Sequence, residues 1–278
     1  MILSVASGKG GTGKTSVAVN LALSLGNAQL LDCDVEEPNV YLYLHPAKVE
    51  EEPICSLIPS VDEGICNLCG KCAEVCQYHA IFVGREKVLV FPGLCHSCGG
   101  CAIVCPEGAI AEERHRVGTL KSGTVGGVDL VYGELELGEP MAVPVIREVK
   151  KRIRKTMDVI IDSPPGASCP VVETTRGSDF CLLVTEPTPF GLHDLKLMVE
   201  VLAGMEIPLG VVVNRVGIGD SRVHDFCREK GIPILLEIPY LRRIAKLHSK
   251  GAPFSEEMPE WKGRFLQLFE DARRLAKK

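Results

Sequence analysis

No apolar run in this chain approaches the roughly 20 residues that a membrane-spanning helix needs. The opening Met1–Ile2–Leu3–Ser4–Val5–Ala6 lacks the basic front of a secretory leader and runs straight into glycines, so the expectation is a cytoplasmic protein. Excess positive charge is missing too. The formal net charge of −5 gives no bulk attraction to nucleic acid or anionic lipid, so neither is expected as a partner. Nor is disorder indicated: 46% hydrophobic and 24% charged residues fit a folded chain, and 278 residues suffice for one α/β domain and a small module.

Cysteine is what the chain has in plenty. There are 13, and eight of them crowd into Cys66–Cys105. In a reducing compartment such a cluster points to metal rather than to disulfides.

The pattern along the chain is that of alternating strands and helices. Ile2–Ala6 is a short apolar run before glycines, and Val17, Leu21 and Leu25 follow at helical spacing. Gln29–Asp32, Asp158–Asp162, Cys181–Thr185, Pro208–Asn214 and Ile232–Glu237 read as parallel strands buried on both faces. Helices are predicted near Leu192–Leu202, Arg222–Lys230 and Leu241–Lys250. Repeated units of this kind predict a doubly wound, mostly parallel α/β sheet with ligands at the carboxyl ends of its strands. Within it, Cys66-x2-Cys69-x2-Cys72-x3-Cys76 recurs as Cys95-x2-Cys98-x2-Cys101-x3-Cys105, each copy followed by a short strand, Ala80–Val83 and Ala109–Ala111. The predicted division is residues 1–60 and 113–278 as two parts of one nucleotide-binding domain, with 61–112 inserted. Glu50–Glu52 with Pro53 and Pro59 read as a surface linker, and the glycine-rich Arg116–Leu137 as short strands or a hairpin leading back to the main sheet.

Gly8-Lys9-Gly10-Gly11-Thr12-Gly13-Lys14-Thr15, followed by Ser16, matches G-x4-G-K-[ST] between a strand and a helix. The glycines let backbone N–H groups turn inward around phosphate oxygens, and the helix N-terminus adds positive potential. Lys14 is expected to reach the β- and γ-phosphates and the Thr15 hydroxyl to bind Mg²⁺. A second lysine after the first glycine, Lys9, resembles the deviant Walker A loop of the MinD/ParA family, which includes the nitrogenase iron protein. The resemblance implies ATP hydrolysis by a homodimer with ATP at its interface, Lys9 reaching the partner's nucleotide. Leu31-Asp32-Cys33-Asp34-Val35-Glu36-Glu37-Pro38-Asn39 resembles that family's switch I, which gives Asp34 the role of orienting or activating the attacking water. Ile160-Ile161-Asp162-Ser163-Pro164-Pro165-Gly166 resembles Walker B and switch II, with Asp162 holding Mg²⁺. Asn214 and the Ile238-Pro239-Tyr240 loop match the positions that read adenine, although Leu241 stands where an acidic residue is usual.

The cysteine repeat is the pattern of bacterial ferredoxins, which bind two [4Fe-4S] clusters. That likeness assigns Cys66, Cys69, Cys72 and Cys105 to one cluster, and Cys95, Cys98, Cys101 and Cys76 to the other. Two structural zinc sites are the alternative. Pro106 stands where the pattern expects it, while Gln77 replaces the proline of the first copy. Cys33, Cys55, Cys169, Cys181 and Cys227 lie outside the array. Buried packing is the ordinary reading for Cys33 and Cys181. Cys169 has the offset from Asp162 that a cluster-ligating cysteine has in the nitrogenase iron protein, with packing or a transient metal contact as alternatives. The C-x-x-C pair of Mrp-type carriers is absent. His45, His79, His96, His115 and His193 form no pattern. The C-terminal stripe Trp261, Phe265, Leu268, Phe269, Ala272 and Leu275, with basic residues that include Lys278, is expected to pack on its own domain rather than on a membrane.

Together the motifs resemble a MinD-superfamily P-loop ATPase with an inserted ferredoxin-like domain. The resemblance implies ATP-driven dimer switching coupled to electron transfer toward an unidentified redox or cluster-accepting protein. Alternatives are an ATPase that assembles or carries clusters and a MinD-like ATPase that positions itself on a membrane.

Overall fold

The computed structural model describes residues 1–277; Lys278 lies outside the described residues. The strands are β1 (Ile2–Ser7), β2 (Ala28–Asp32), β3 (Glu50–Val61), β4 (Ile81–Val83), β5 (Val88–Val90), β6 (Ile110–Val125), β7 (Val128–Leu135), β8 (Asp158–Pro165), β9 (Phe180–Thr185), β10 (Leu209–Val216) and β11 (Ile234–Pro239). The helices are α1 (Lys14–Leu25), α2 (Tyr41–Leu44), α3 (Lys71–Val75), α4 (Gly100–Ile103), α5 (Val143–Lys151), α6 (Cys169–Thr175), α7 (Pro189–Gly204), α8 (Arg222–Lys230), α9 (Arg242–His248), α10 (Phe254–Glu257) and α11 (Glu260–Ala276).

Nine strands make one sheet in the order β11-β10-β9-β1-β8-β2-β7-β6-β3. From β11 to β7 the neighbours run parallel, while β6 pairs antiparallel with both β7 and β3. The central strands read as unbroken apolar runs because helices cover both faces. Side chains alternate between the two sides. Leu3, Leu30, Ile160, Leu182 and Val212 pack toward α1, α10 and α11. Cys181, Leu183, Val211 and Val213 pack toward α6, α7 and α8. Leu31, Val159 and Ile161 pack toward α5. The apolar stripe of α11 is buried in the first of these clusters, so that helix packs on its own sheet.

One sequence expectation changes, and another resolves to one of its two alternatives. Glu50–Pro59 is not a linker: it forms β3, paired with β6 from Glu50↔Ser122 to Val61↔Ile110. Its prolines are tolerated because β3 is the edge strand. Residues 116–137 take the hairpin alternative: the long strands β6 and β7 pair antiparallel from Gly118↔Leu135 to Val125↔Val128 and lead back into the main sheet. Gly126 and Gly127, with φ of 57° and 83°, turn the chain between them, while other glycines make room for a helix: a Cβ on Gly133 or Gly118 would stand 2.6 or 2.8 Å from the Val145 side chain of α5.

The cysteine repeat lies between β3 and β6, around a small core of its own that includes Cys72, Ile81 and Ile110. Ala109–Ala111 is not a separate short strand: Ile110 opens the long β6. The strand pairing with β4 is β5, which sequence reading missed.

Candidate functional site

The parallel strands end on one side of the sheet, and their ends carry the polar residues. β1 leads into the glycine loop, and Ser7 fixes that loop by donating its hydroxyl to the Lys9 carbonyl at 2.8 Å. Gly13 caps α1 in a left-handed conformation and supplies no side-chain cap, so the first-turn N–H groups of α1 stay free for an anion. Asn214, from the end of β10, donates its amide to the Thr12 carbonyl at 2.8 Å, which latches the glycine loop to the neighbouring strand end.

Asp32, the last residue of β2, and Asp162, within β8, are direct register partners, and both are fully buried. Asp32 is satisfied by backbone N–H groups of Asp34, Asn39 and Val40, each at 3.0 Å, which folds the segment after β2 over the site. Among the described residues neither carboxylate oxygen of Asp162 has a partner at hydrogen-bond geometry, although the Thr15 hydroxyl lies near enough to favour its charged form. Burial drives the Asp32 and Asp162 carboxyls above their ordinary range, to about 7 and about 6, and the charge of Asp162 adds to the rise at Asp32. Lys14 Nζ meets Asp34 Oδ2 at 3.0 Å, with both side chains buried. Desolvation opposes the Lys14 charge, yet Asp162, Asp34 and Asp32 together outweigh it and hold its pKa above the usual value. At Asp34 the balance differs: burial raises its carboxyl despite Lys14.

Three carboxylates around one ammonium leave an excess of negative charge, and an unpaired buried carboxylate is costly. Thr15 and Asp162 therefore form a donor set of the hard-oxygen kind that suits a Mg²⁺ ion. Two clefts flank this centre. One, of about 470 Å³, is lined by Gly13, Ser16, Asn214, Pro239, Tyr240 and Leu241, so the residues expected to hold the base do share a wall with the phosphate loop. The other, of about 520 Å³, sets Asp34 and Glu36 opposite Pro164 and Pro165.

Lys9 turns to its own chain, where its Nζ meets Glu186 Oε2 at 3.1 Å. Glu186 also accepts from Arg215 and is itself buried. Sequence reading gave no role to Glu186 or to Arg215. Their only signal was position, one residue past β9 and one past Asn214, at strand ends where ligands gather.

The cysteine loops repeat in space as in sequence. Left-handed backbone occurs at Leu68 and Ser97, at Gly70 and Gly99, and at His79 and Gly108, each pair separated by the spacing of the repeat. The Ala80 N–H donates to Cys76 Sγ and the Ala109 N–H to Cys105 Sγ, each at 3.3 Å. Cys105 lines one cavity with Cys66, Cys69 and Cys72, the foursome the ferredoxin pattern assigns together. Among the described residues no three or more His, Cys, Asp or Glu converge as a single-ion site. A four-iron cube takes one thiolate per iron corner, so its ligands stand further apart than those of one ion.

Of the other cysteines, Cys33, Cys181 and Cys227 are buried. Burial pushes the Cys33 thiol far up and the Cys181 thiol up to about 12, which keeps both inert. Cys169 is exposed at the start of α6 and faces a groove that Cys55, Cys95 and His96 also line.

Residues 3–254 match the CobQ/CobB/MinD/ParA nucleotide binding domain. The chain belongs to that family. Two relatives from Methanocaldococcus jannaschii bear the names uncharacterized protein MJ0579 and uncharacterized protein MJ0578. The first is 31% identical over 261 residues, 91% of either chain, and the second 36% over 247 residues, 87% of either chain. Among solved structures, the fold is similar to the Pyrococcus furiosus cell division ATPase MinD, with a TM-score of 0.61 at 22% identity over 99% of this chain and 98% of that one. The Pyrococcus horikoshii septum site-determining protein MinD, solved with Mg-ADP, gives 0.61 at 21% identity over 99% and 96%. These likenesses place the nine-stranded sheet in the MinD/ParA fold.

Proposed function

We propose that this member of the MinD/ParA-type family is an ATP-hydrolysing switch whose two copies close over bound nucleotide. The carrying observation is the buried centre in which Lys14 is caged by Asp32, Asp34 and Asp162 while both Asp162 oxygens remain unpaired. Incoming phosphates compete for Lys14. As Lys14 leaves Asp34 for them, the Asp34 carboxylate is freed toward the cleft it shares with Pro164 and Pro165, where it can orient water. Thr15 and Asp162 would hold Mg²⁺, which when bound neutralises charge on the phosphates. Lys9 completes the site of the partner copy. Anaerobic ATP turnover and sedimentation test this reading. Lys14→Ala should abolish turnover, and Lys9→Ala should keep nucleotide binding but block hydrolysis; equal activity in both variants overturns the assignment.

The likeness to MinD and ParA proteins favours a switch that positions itself or a cargo over an electron-transfer enzyme. Because the apolar stripe of α11 is buried, a hold on lipid would have to come from another surface. Nucleotide-dependent pelleting with anionic vesicles is the direct measurement.

A second reading concerns what the switch moves. The eight repeat cysteines fit two [4Fe-4S] clusters. Support comes from Cys105 sharing a cavity with Cys66, Cys69 and Cys72, and from the non-glycine residues Leu68 and Ser97 held left-handed beside the thiols. Bound clusters would supply one-electron chemistry. The chain's own part is to present thiolates, direct the Ala80 and Ala109 N–H groups at sulfur, and tie the loops to β3 and β6. Electron relay and cluster delivery separate by one assay: a relay retains its iron when mixed with an apo-acceptor, and a carrier does not.

A further inference from the structure

Glu186 is a buried charge for which the phosphate chemistry has no use. It follows β9 directly, and its side chain is 7% exposed, against 34% for Lys9 and 42% for Arg215. Each oxygen has one cation: Lys9 Nζ on Oε2 and an Arg215 nitrogen on Oε1. Its surroundings are rigid. The Asp220 N–H donates to the Pro187 carbonyl at 3.0 Å, and a Cβ on Gly219 would stand 1.5 Å from that same oxygen, so the loop after β10 is pressed against the residue that follows Glu186. Arg215 itself holds a left-handed φ of 56°, which a non-glycine residue adopts only when its surroundings impose it.

The two partners are not equivalent. Removing the only partner of a buried carboxylate carries a large penalty, because the charge is left unpaired. Here Lys9 can depart and Glu186 still keeps Arg215, so departure costs only the value of a half-exposed ion pair. Lys9 belongs to a loop that any nucleotide must touch, and Arg215 follows Asn214, which lines the base-side cleft. One carboxylate therefore joins the two sides of the nucleotide site.

We infer that Glu186 is a positioning residue that holds Lys9 in its own chain and sets how readily the lysine is surrendered to a second copy. The inference rests on the ATP-closed dimer proposed above. Phosphate oxygens of the partner's nucleotide compete with Glu186 for one ammonium group, and Arg215 keeps Glu186 paired after the exchange. A half-exposed pair corresponds to about a fivefold effect per lysine, hence about twenty-five-fold for a twofold dimer in which both lysines are released.

The test is sedimentation equilibrium at saturating non-hydrolysable ATP analogue with Mg²⁺, on wild type, Glu186→Gln, Arg215→Ala, Lys9→Ala and the double variant Lys9→Ala/Glu186→Gln. Glu186→Gln should tighten the dimer by about tenfold or more, because the neutral amide holds Lys9 weakly. Arg215→Ala should weaken it, because Glu186 then has Lys9 alone. In the Lys9→Ala background the Glu186→Gln change should have no effect, which a merely structural role would not produce. An unchanged or weaker dimer in Glu186→Gln, or the same shift with and without Lys9, overturns the inference. A wild type that stays monomeric with the analogue overturns the dimer reading itself, and with it the contest for Lys9; that outcome is read from the wild-type sample alone.

Discussion

At Gly13 a single hydrogen atom decides whether the site exists. Its φ is +94°, and a Cβ there would stand 2.4 Å from the Asn214 amide nitrogen that holds the Thr12 carbonyl. Gly13→Ala pays for both the strained backbone and the broken latch, so nucleotide affinity measured by calorimetry should fall by roughly tenfold or more. The glycine loop was fully legible in the sequence, because a string of small residues between an apolar run and a helix has few other uses. Asp32 was quoted within its motif, yet its role was hidden. Only the register of β2 against β8 reveals that it lies beside Asp162 and anchors the Asn39 and Val40 N–H groups. Glu186 was invisible for the same reason: its partners Lys9 and Arg215 are 177 and 29 residues away in the chain.

Among the elements, α6 carries the segment after β8 and is braced to α5. Arg147 meets Glu173 at 3.2 Å, and Lys150 donates to the Glu173 and Arg176 carbonyls at the C-terminal end of α6. The hydrogen bond from Arg147 outweighs burial and holds the Glu173 carboxyl below its ordinary value. A lowered folded-state pKa contributes stability above the unfolded value and loses it as pH falls through the folded value. Glu173→Gln should therefore lower the melting temperature slightly at pH 7, by less than about 1 kcal/mol in stability since Arg147, its partner, is largely exposed. The gap from wild type should close on acidification below about pH 4, and a gap that persists there would show that Glu173 acts by packing instead. Helix α11 is the opposite case. Trp261 packs against Phe254 and Phe265, with ring centroids 5.2 and 6.3 Å away, and is 2% exposed. Trp261→Ala should cost about 3–5 kcal/mol in urea unfolding followed by circular dichroism. Helical spacing made that stripe readable. The β3 edge was misread because acidic residues and prolines also mark loops, and nothing local says that a strand far along the chain will pair with them.

For the whole molecule, the proposed clusters would each draw cysteines crosswise from both repeats. Anaerobically purified protein should contain about eight irons per chain. Cys66→Ser and Cys105→Ser should each damage the same cluster, so the double variant should lose no more iron than the worse of the two. Additive loss would place the two cysteines on different clusters, and one zinc per four cysteines would remove the iron reading altogether. The composition of the array was evident from spacing alone. Its attachment was not, because the strands that carry it are drawn from segments whose glycines, prolines and charges disguise them.

That attachment sets the mechanics of the assembly. β6 pairs with β7 only from Gly118 onward, so Ile110–Val117 and the facing stretch of β3 run on as a two-stranded stalk, braced on the body where His115 meets Glu139 at 2.6 Å and Gly93 lies beside Pro140. Eight residues at about 3.3 Å each give it a length of roughly 25 Å. Such a stalk twists but does not fold over like a glycine tether. Whatever docks on the thiol-bearing head must meet it at a bearing fixed by the sheet. If two chains clasp about a twofold axis, their heads become a pair of calipers, whose gap widens or narrows with the angle between the bodies that carry them.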